Sequence, residues 1–169
     1  GFSTFLNFES VVDIGAGEGD TSLLLAAGSK KVIAVDLNQK MLDIIQHKAA
    51  AKNITSIETR IGDINKLPLE NGEVQFALMS QVLHHSANPQ KAIIEMMRVI
   101  KPGGHFMVLD LLSHSQEWVQ DKMGDLWLGF DIERLKEWLI DSNAFITSIE
   151  TIHIPDGLPL LLAVGQKSK

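Results

Sequence analysis

The chain has 169 residues, of which 45% are hydrophobic and 21% charged, a composition typical of one globular domain. Its net charge of −6 argues against nucleic-acid binding by this segment, and no apolar run approaches the roughly 20 residues of a membrane helix. The absence of cysteine excludes disulfides, thiolate nucleophiles and cysteine metal ligands. It is compatible with a reducing compartment, and we expect a cytoplasmic protein.

Apolar runs of strand length alternate with helix-period stretches along the chain. In chain order, the pattern predicts a strand at 10–14, a helix at 20–30, a strand at 31–36, a helix at 38–50, strands at 54–63 and 73–81, a helix at 89–100, a strand at 105–112, a helix at 132–140, and strands at 145–154 and 158–166. Asn38 caps the second helix, and the short "PDG" link predicts a hairpin for the last two strands.

Continuous apolar strands separated by helices are typical of a mostly parallel sheet covered on both faces. The sequence therefore predicts an α/β fold, a doubly wound, Rossmann-like sheet of seven strands with an antiparallel C-terminal hairpin. No linker or repeat divides residues 1–169, so we expect one domain. Because the chain begins with Gly1 and reaches its first strand within about ten residues, we expect an upstream part to be missing.

The stretch "VVDIGAGEGD" places a glycine turn between the first strand and the first helix. A phosphate-binding P-loop needs Gly-Lys-Ser/Thr there, and a dinucleotide fingerprint needs a glycine where Asp20 stands. Glu18 and Asp20 would also repel a pyrophosphate. A cationic ligand without phosphate meets neither objection, and S-adenosylmethionine is such a ligand.

Acidic residues follow the next two strands. Asp36 ends the second strand, where a carboxylate can accept hydrogen bonds from both ribose hydroxyls, although nicotinamide enzymes use an acid at the same place. In "GDINKLP", Asp63 can accept from an adenine amino group, and the Ile64 N–H can donate to a ring nitrogen.

These motifs, together with "AVDLNQKML", "GDINKLPL", "SQVLHH" and "RVIKPGG", make the chain resemble class I S-adenosylmethionine-dependent methyltransferases, in the group that includes the ubiquinone-biosynthesis enzymes. The resemblance runs from Val11 to the end. The stretch 109–130 is further similar to methyltransferase domains fused behind ArsR-type regulators. That similarity implies an upstream DNA-binding module.

The resemblance also implies a cofactor site in this sequence. The residues that it assigns to S-adenosylmethionine, or to the product S-adenosylhomocysteine, are Asp13, Gly15, Ala16, Gly17, Gly19, Asp36, Leu37, Met41, Gly62, Asp63, Ile64 and Ser80. Asp13 has an equal claim to a structural role in holding the turn. Ala16, Glu18 and Gln75 depart from residues common in the family, and the short N-terminus lacks helices that usually close over the cofactor.

His84 and His85 are the candidate catalytic residues, because they follow the fourth strand, where a methyl acceptor should approach. A neutral imidazole can take a proton from a hydroxyl or an activated carbon. The alternative is that one or both histidines cap the following helix or fix the loop. The other histidines are scattered, so we predict no metal site.

Three tryptophans lie between the fifth strand and the hairpin. Trp138 shares a helix face with Leu135 and is predicted to be core. Trp118 and Trp127 could line an acceptor pocket or pack a lid, but a place in the core is the favoured interpretation.

The sequence thus predicts an S-adenosylmethionine-dependent methyltransferase acting on a small-molecule acceptor. Arsenite methylation through cysteine thiolates is excluded on this chain. Two alternatives stay open: a non-catalytic S-adenosylmethionine-binding module that regulates an attached DNA-binding domain, and an NAD-dependent oxidoreductase. The oligomeric state, including a dimer, also stays open.

Overall fold

The computed structural model describes residues 7–112 and 129–169. The strands and helices in chain order are β1 (Phe8–Ile14), α1 (Asp20–Ala26), β2 (Ser29–Asp36), α2 (Gln39–Ala51), β3 (Ile57–Ile61), β4 (Val74–Ser80), α3 (Pro89–Val99), β5 (Ile100–Leu111), α4 (Ile132–Asp141), β6 (Ala144–Ile152) and β7 (Leu160–Lys167). A short 3₁₀ turn, Leu83–His85, lies between β4 and α3. Among the described residues, no helix combines the length and the apolar character that crossing a membrane requires.

All seven strands form one sheet in the order β3-β2-β1-β4-β5-β7-β6. The strands from β3 across to β5 pair in parallel, and β7 pairs antiparallel with both β5 and β6. The predicted fold class, including the antiparallel hairpin, is confirmed. Within that hairpin it is β7 that enters the sheet beside β5, which leaves β6 at the edge.

The core occupies both faces of the sheet. Val12, Ile14 and Ile33 belong to the apolar cluster that also contains α3 and α4 side chains, whereas Val11 and Val32 belong to the cluster beneath α2. Successive strand residues point to opposite faces, so burial of both faces requires an uninterrupted apolar run. This is why "SVVDI" and "KVIAVD" carry no alternation.

Local signals set most helix starts. Asn38 accepts a hydrogen bond from the Lys40 N–H, which confirms the predicted cap, and Asn88 caps α3 in the same way through the Lys91 N–H. An Asn cap is worth about 1 kcal/mol.

Some predicted bounds are wrong. The strand predicted at 105–112 begins at Ile100, because Ile100 already pairs with Val74 and the register shifts between Val74 and Phe76. The "KPGG" turn is therefore an irregularity inside β5, with Gly103 in the left-handed region at φ 79°. Helix α1 ends at Ala26, earlier than predicted, and a turn through Gly28 leads directly into β2.

The strand pairing makes Gly165 a sensitive position. A Cβ there would collide with the Phe145 carbonyl oxygen across the β6–β7 pair and would lie 2.8 Å from Phe106 Cζ. We expect Gly165→Ala to lower the free energy of unfolding by about 3 kcal/mol, the upper range for overpacking, because a backbone oxygen cannot rotate away. Urea denaturation followed by circular dichroism measures this loss.

The matched control for this prediction is Gly72→Ala. Gly72 has a positive φ, 63°, and the nearest contact of its Cβ position is 3.8 Å away. Only the left-handed backbone conformation then opposes the substitution, at about 1 kcal/mol. Equal losses for the two variants would contradict the β6–β7 register.

Candidate functional site

A cleft of about 410 Å³ lies at the carboxyl ends of β1 to β4. The chain places β2 and β4 on either side of β1, so the loops after these strands diverge and leave a crevice between them. The lining residues are Gly15, Asp36, Leu37, Gly62, Asp63, Ile64, Asn65, Val82, His85, Ser86 and Ala87.

The glycine turn between β1 and α1 needs glycine for two different reasons. Gly15, Gly17 and Gly19 all have positive φ angles, of 72°, 57° and 88°. A Cβ on Gly15 would lie 2.5 Å from Val82 Cγ1, and one on Gly19 would collide with Ile45, so these two permit close packing. No atom lies within 4 Å of the Cβ position of Gly17, so its backbone stands open to an approaching ligand.

Asp36 joins the end of β2 to the glycine turn. Its Oδ2 accepts a hydrogen bond from the Gly17 N–H, and its Oδ1 accepts one from the Asn38 N–H, each at 2.9 Å. A carboxylate accepts about four hydrogen bonds, so the half-buried side chain keeps acceptor capacity on the cleft wall. Binding of the ribose requires Asp36 to border the crevice, and it does.

Asp13 lies beneath the turn and does not border the cleft. It is 2% exposed, and the Ser22 hydroxyl on α1 donates a hydrogen bond of 2.6 Å to it. Burial raises the pKa of Asp13 to about 6, the Ser22 hydrogen bond opposes this rise, and the charge of Asp36 adds to it. This geometry favours the turn-holding role, and a direct cofactor contact of Asp13 stays a prediction.

The acids of the turn have a cationic partner that sequence analysis missed. Lys48 Nζ, on α2, donates to the Glu18 carbonyl oxygen at 3.1 Å and to Asp20 Oδ1 at 3.2 Å. Both carboxylates are largely exposed. Lys48 offsets part of their charge, and a pyrophosphate would meet less repulsion at the turn than the sequence indicated.

The loop after β3 supplies one wall of the cleft through Gly62, Asp63, Ile64 and Asn65. Asp63 Oδ1 accepts from the Asn65 N–H at 2.8 Å, which closes a tight turn. The rest of this loop is fastened to α3.

Two α3 side chains make that attachment. Glu95 Oε1 accepts from the Leu67 N–H at 2.8 Å, and Arg98 donates to the Leu67 and Leu69 carbonyls at 3.2 and 2.9 Å. Arg98 also pairs with Glu95 through a 2.6 Å hydrogen bond. Because carbonyls inside a loop lack ladder partners, these bonds hold the loop in one conformation.

The loop after β4 supplies the opposite wall through Val82, His85, Ser86 and Ala87. The Ser86 hydroxyl donates to Asn65 Oδ1 at 3.2 Å, so the two walls are linked. Gln81, at the start of this loop, has φ 55°, a conformation that non-glycine residues adopt at some energetic cost.

The structure distinguishes the two candidate histidines. His84 is buried, with Nδ1 2.6 Å from Asp110 Oδ1, and does not border the cleft. His85 is exposed and lines the cleft, and its ring centroid lies 4.0 Å from that of His84. Of the two histidines, His85 is therefore the one placed to meet an acceptor, and its catalytic role stays a prediction.

The remaining predicted residues lie at different distances from the crevice. Gly15, Asp36, Leu37, Gly62, Asp63 and Ile64 border it. Ala16, Gly17, Gly19, Met41 and Ser80 do not border it, and their cofactor contacts stay predictions. Sequence analysis missed Asn65, Val82, Ser86 and Ala87 as lining residues, although the quoted motifs "GDINKLP" and "SQVLHH" contain or adjoin them.

The chemistry of the lining suits the predicted cofactor. Asp36 and Asp63 are its carboxylates, and no lysine or arginine is among the lining residues that the structure describes. Leu37 is 66% exposed and gives the cleft wall an apolar surface. Carboxylates beside an apolar wall fit a cationic nucleoside better than a phosphorylated one.

Two other predictions concern metal ligands and the tryptophans. Within residues 7–112 and 129–169, no three histidine, aspartate or glutamate side chains come together as a metal site. Trp138 packs edge-on against Phe130 at 5.8 Å and joins the core, as predicted. Trp118 and Trp127 lie outside the described residues.

Comparison with known proteins gives a family match. The family model described as a methyltransferase domain matches residues 12–108. A 37.1 kDa protein in transposon TN4556 of Streptomyces fradiae is 37% identical over 103 residues, covering 59% of this chain and 29% of that protein. The ubiquinone/menaquinone biosynthesis C-methyltransferase UbiE of Rubrivivax gelatinosus is 28% identical over 150 residues, covering 88% of this chain and 57% of that enzyme.

The fold also has close structural neighbours. A crystal structure of a SAM-dependent methyltransferase from Aquifex aeolicus superposes with a TM-score of 0.76 at 20% identity, covering 95% of this chain and 84% of that one. At this identity the likeness concerns the fold. The chain spans less than two thirds of the length of both sequence relatives named above.

The buried carboxyl of Asp13 predicts a pH dependence of stability. Burial raises its pKa from 3.8 to about 6, so between about pH 4 and 6 the folded state binds this proton more tightly than the unfolded chain. Its contribution to the free energy of unfolding therefore falls as the pH rises through that window, by about 3 kcal/mol in total. Asp13→Asn should remove this decline.

Urea denaturation of both proteins from pH 4 to pH 8 measures the difference. Asp43→Asn is the control, because Asp43 is exposed on α2 and bonds only to Gln39 in the described hydrogen bonds. Parallel stability curves for the wild type and Asp13→Asn would contradict the assignment of a raised pKa to Asp13.

Proposed function

Because the chain belongs to the methyltransferase domain family, we propose that it takes S-adenosylmethionine as its cofactor and transfers the methyl group to a small-molecule acceptor. The observation that carries this proposal is the Asp36 carboxylate, which stands on the cleft wall at the end of β2 beside an open glycine turn. The activity and acceptor of the full-length protein are part of the same proposal.

In this proposal, different cleft residues contact different parts of the cofactor. Asp36 accepts from the ribose hydroxyls, and Leu37 and Ile64 cover the faces of the adenine. Asp63 accepts from the adenine amino group. Its Oδ1 already accepts from the Asn65 N–H, but a carboxylate can accept further hydrogen bonds. The open backbone beside Gly17 receives the methionyl part.

Charge supports this assignment. When bound, S-adenosylmethionine supplies an electrophilic methyl group on a cationic sulfur that takes the electron pair of the broken carbon–sulfur bond. The carboxylates of Asp36 and Asp63 give the cleft a negative potential that attracts a cation. The chain's contribution to the rate is then mainly alignment of the reactants in a cleft that excludes water.

His85 is the side chain proposed to take the acceptor's proton. It is exposed on the loop after β4 and borders the same cleft as Asp36. A neutral imidazole at this place can take a proton from a hydroxyl or an activated carbon acid.

The ribose assignment predicts that Asp36→Ala weakens S-adenosylhomocysteine binding more than tenfold, because two charge-assisted hydrogen bonds are lost. Isothermal titration calorimetry measures the affinity. Circular dichroism must show that the variant is folded, since Asp36 also holds the Gly17 and Asn38 amides. Asp43→Ala is the control for loss of an exposed carboxylate. An unchanged affinity in Asp36→Ala, or binding of NADH without S-adenosylhomocysteine, would overturn the assignment.

The proton-acceptor role predicts that His85→Gln lowers kcat by about 10²- to 10⁴-fold, the usual share of general-base catalysis. The dissociation constant for S-adenosylhomocysteine should change less than about threefold, since the proposal places the imidazole at the acceptor rather than at the ribose. The assay screens hydroxyl and activated-carbon acceptors with a radiolabelled methyl group.

The control for this prediction is His47→Gln, because His47 is an exposed histidine of α2. Equal kcat values for His85→Gln and the wild type would rule out the proton transfer. If cofactor binds but no acceptor is methylated by the full-length protein, the chain is a binding module rather than an enzyme.

A further inference from the structure

A buried carboxylate near the end of β5 organises the turn that carries His85. Asp110 is 1% exposed and receives hydrogen bonds on both oxygens. Oδ2 accepts from the backbone N–H groups of Leu83 and His84, at 2.9 and 3.3 Å, and Oδ1 accepts from that of Leu111 at 2.7 Å. A buried carboxylate is tolerated only when it is bonded in this way, so the turn and β5 are held together through Asp110.

Asp110 also bonds to a side chain, that of His84, in addition to the three backbone N–H groups. His84 Nδ1 lies 2.6 Å from Asp110 Oδ1, and the two side chains are 8% and 1% exposed. An ionised carboxylate only accepts hydrogen bonds, so Nδ1 carries the proton. The bond therefore selects one tautomer of His84 and orients its ring.

The oriented ring of His84 lies against the imidazole in the cleft. The ring centroids of His84 and His85 are 4.0 Å apart, and the planes are inclined by 45°. His84 is buried, whereas His85 is exposed and lines the cleft. A ring that is locked by a buried hydrogen bond restricts the rotamers of the exposed ring packed on it, as a supporting residue does for a catalytic one.

We propose that Asp110 is a positioning residue for the acceptor end of the cleft, and that it acts by locking the His84 ring, which in turn holds the His85 imidazole in place. This inference rests on the proposed function, because it supports the residue assigned there to the acceptor's proton. In this proposal His84 has a structural role, and His85 accepts the proton. None of the sequence motifs assigned to the cofactor site gives a role to Asp110.

The competing explanation is that Asp110 only anchors the backbone of the turn. In that case its three backbone bonds matter for stability, and its bond to His84 does not affect His85. The two explanations differ in one observable, the environment of the His85 ring in the folded protein.

The experiment is a double-mutant cycle read by nuclear magnetic resonance. Full-length protein with ¹³C-labelled histidine is prepared as the wild type, Asp110→Asn, His84→Asn and the double variant, and the His85 Cε1–H signal is followed against pH. In His84→Asn, the amide retains a donor near the position of Nδ1 but removes the ring. The cycle isolates the effect that Asp110 exerts through that ring.

The proposal expects Asp110→Asn to shift the His85 titration midpoint by about 0.5 pH or more, and to do so only when the His84 ring is present. It also expects a tenfold or greater fall in kcat, with less than a threefold change in the KM of whichever acceptor the screen finds. An effect of equal size in the His84→Asn background, or no effect on His85 in either background, would overturn it.

If Asp110→Asn does not fold, His84→Phe gives the same test. That variant keeps a ring against His85 and leaves Asp110 with its backbone bonds, but removes the Nδ1–H. A changed His85 signal and a lower kcat support the proposal, and an unchanged signal with an unchanged kcat overturns it.

Two further measurements complete the design. His105→Asn removes a histidine in the middle of β5, where it bonds to Gln166, and should leave the His85 titration unchanged. S-adenosylhomocysteine binding is measured on every sample. If the wild type does not bind S-adenosylhomocysteine, the proposed function is wrong. The role of Asp110 is decided separately, by the His85 titration.

Discussion

The functional geometry of this protein depends on the parallel pairing of β1 with β2 on one side and with β4 on the other. In parallel strands the carboxyl ends coincide, so three loops leave the sheet at the same edge. The order β3-β2-β1-β4-β5 reverses at β1, which sends the loops after β1 and β4 to opposite faces and opens the crevice. Every side chain assigned to the cofactor or the acceptor lies at or next to that edge.

Three carboxylates near the crevice follow one physical rule. Asp13, Asp36 and Asp110 lie at or near the ends of β1, β2 and β5, and each receives hydrogen bonds from a hydroxyl, backbone amides or an imidazole. Such bonds fix the orientation of the carboxyl groups before any ligand arrives and offset part of their desolvation, which at Asp13 still raises the pKa to about 6. Asp13 and Asp110 are buried and bond within the protein, whereas Asp36 is the least buried of the three and borders the cleft.

The walls of the crevice are coupled rather than independent. Arg98 and Glu95 bind the loop after β3 to α3, and Ser86 connects Asn65 on that loop to the turn after β4. Helix α3 begins a few residues after Ser86, so the same element braces both walls. A ligand that contacts Asp63 and a group that contacts His85 therefore share one supporting framework, which favours a preorganised site.

The sequence alone determined the α/β class, the order of the elements and part of the lining of the crevice, because these depend on local patterns: apolar runs, caps at Asn38, and glycines that tolerate positive φ. It could not give the start of β5 at Ile100, since a strand partner outweighed the turn signal of "KPGG". It left His84 and His85 equivalent, because adjacent residues differ only through what packs on them. Tertiary structure separated them by bringing Asp110, 26 residues away, onto one ring and leaving the other in the cleft. The pairing of Lys48 with the acids of the turn is of the same kind, a long-range contact that no local pattern encodes.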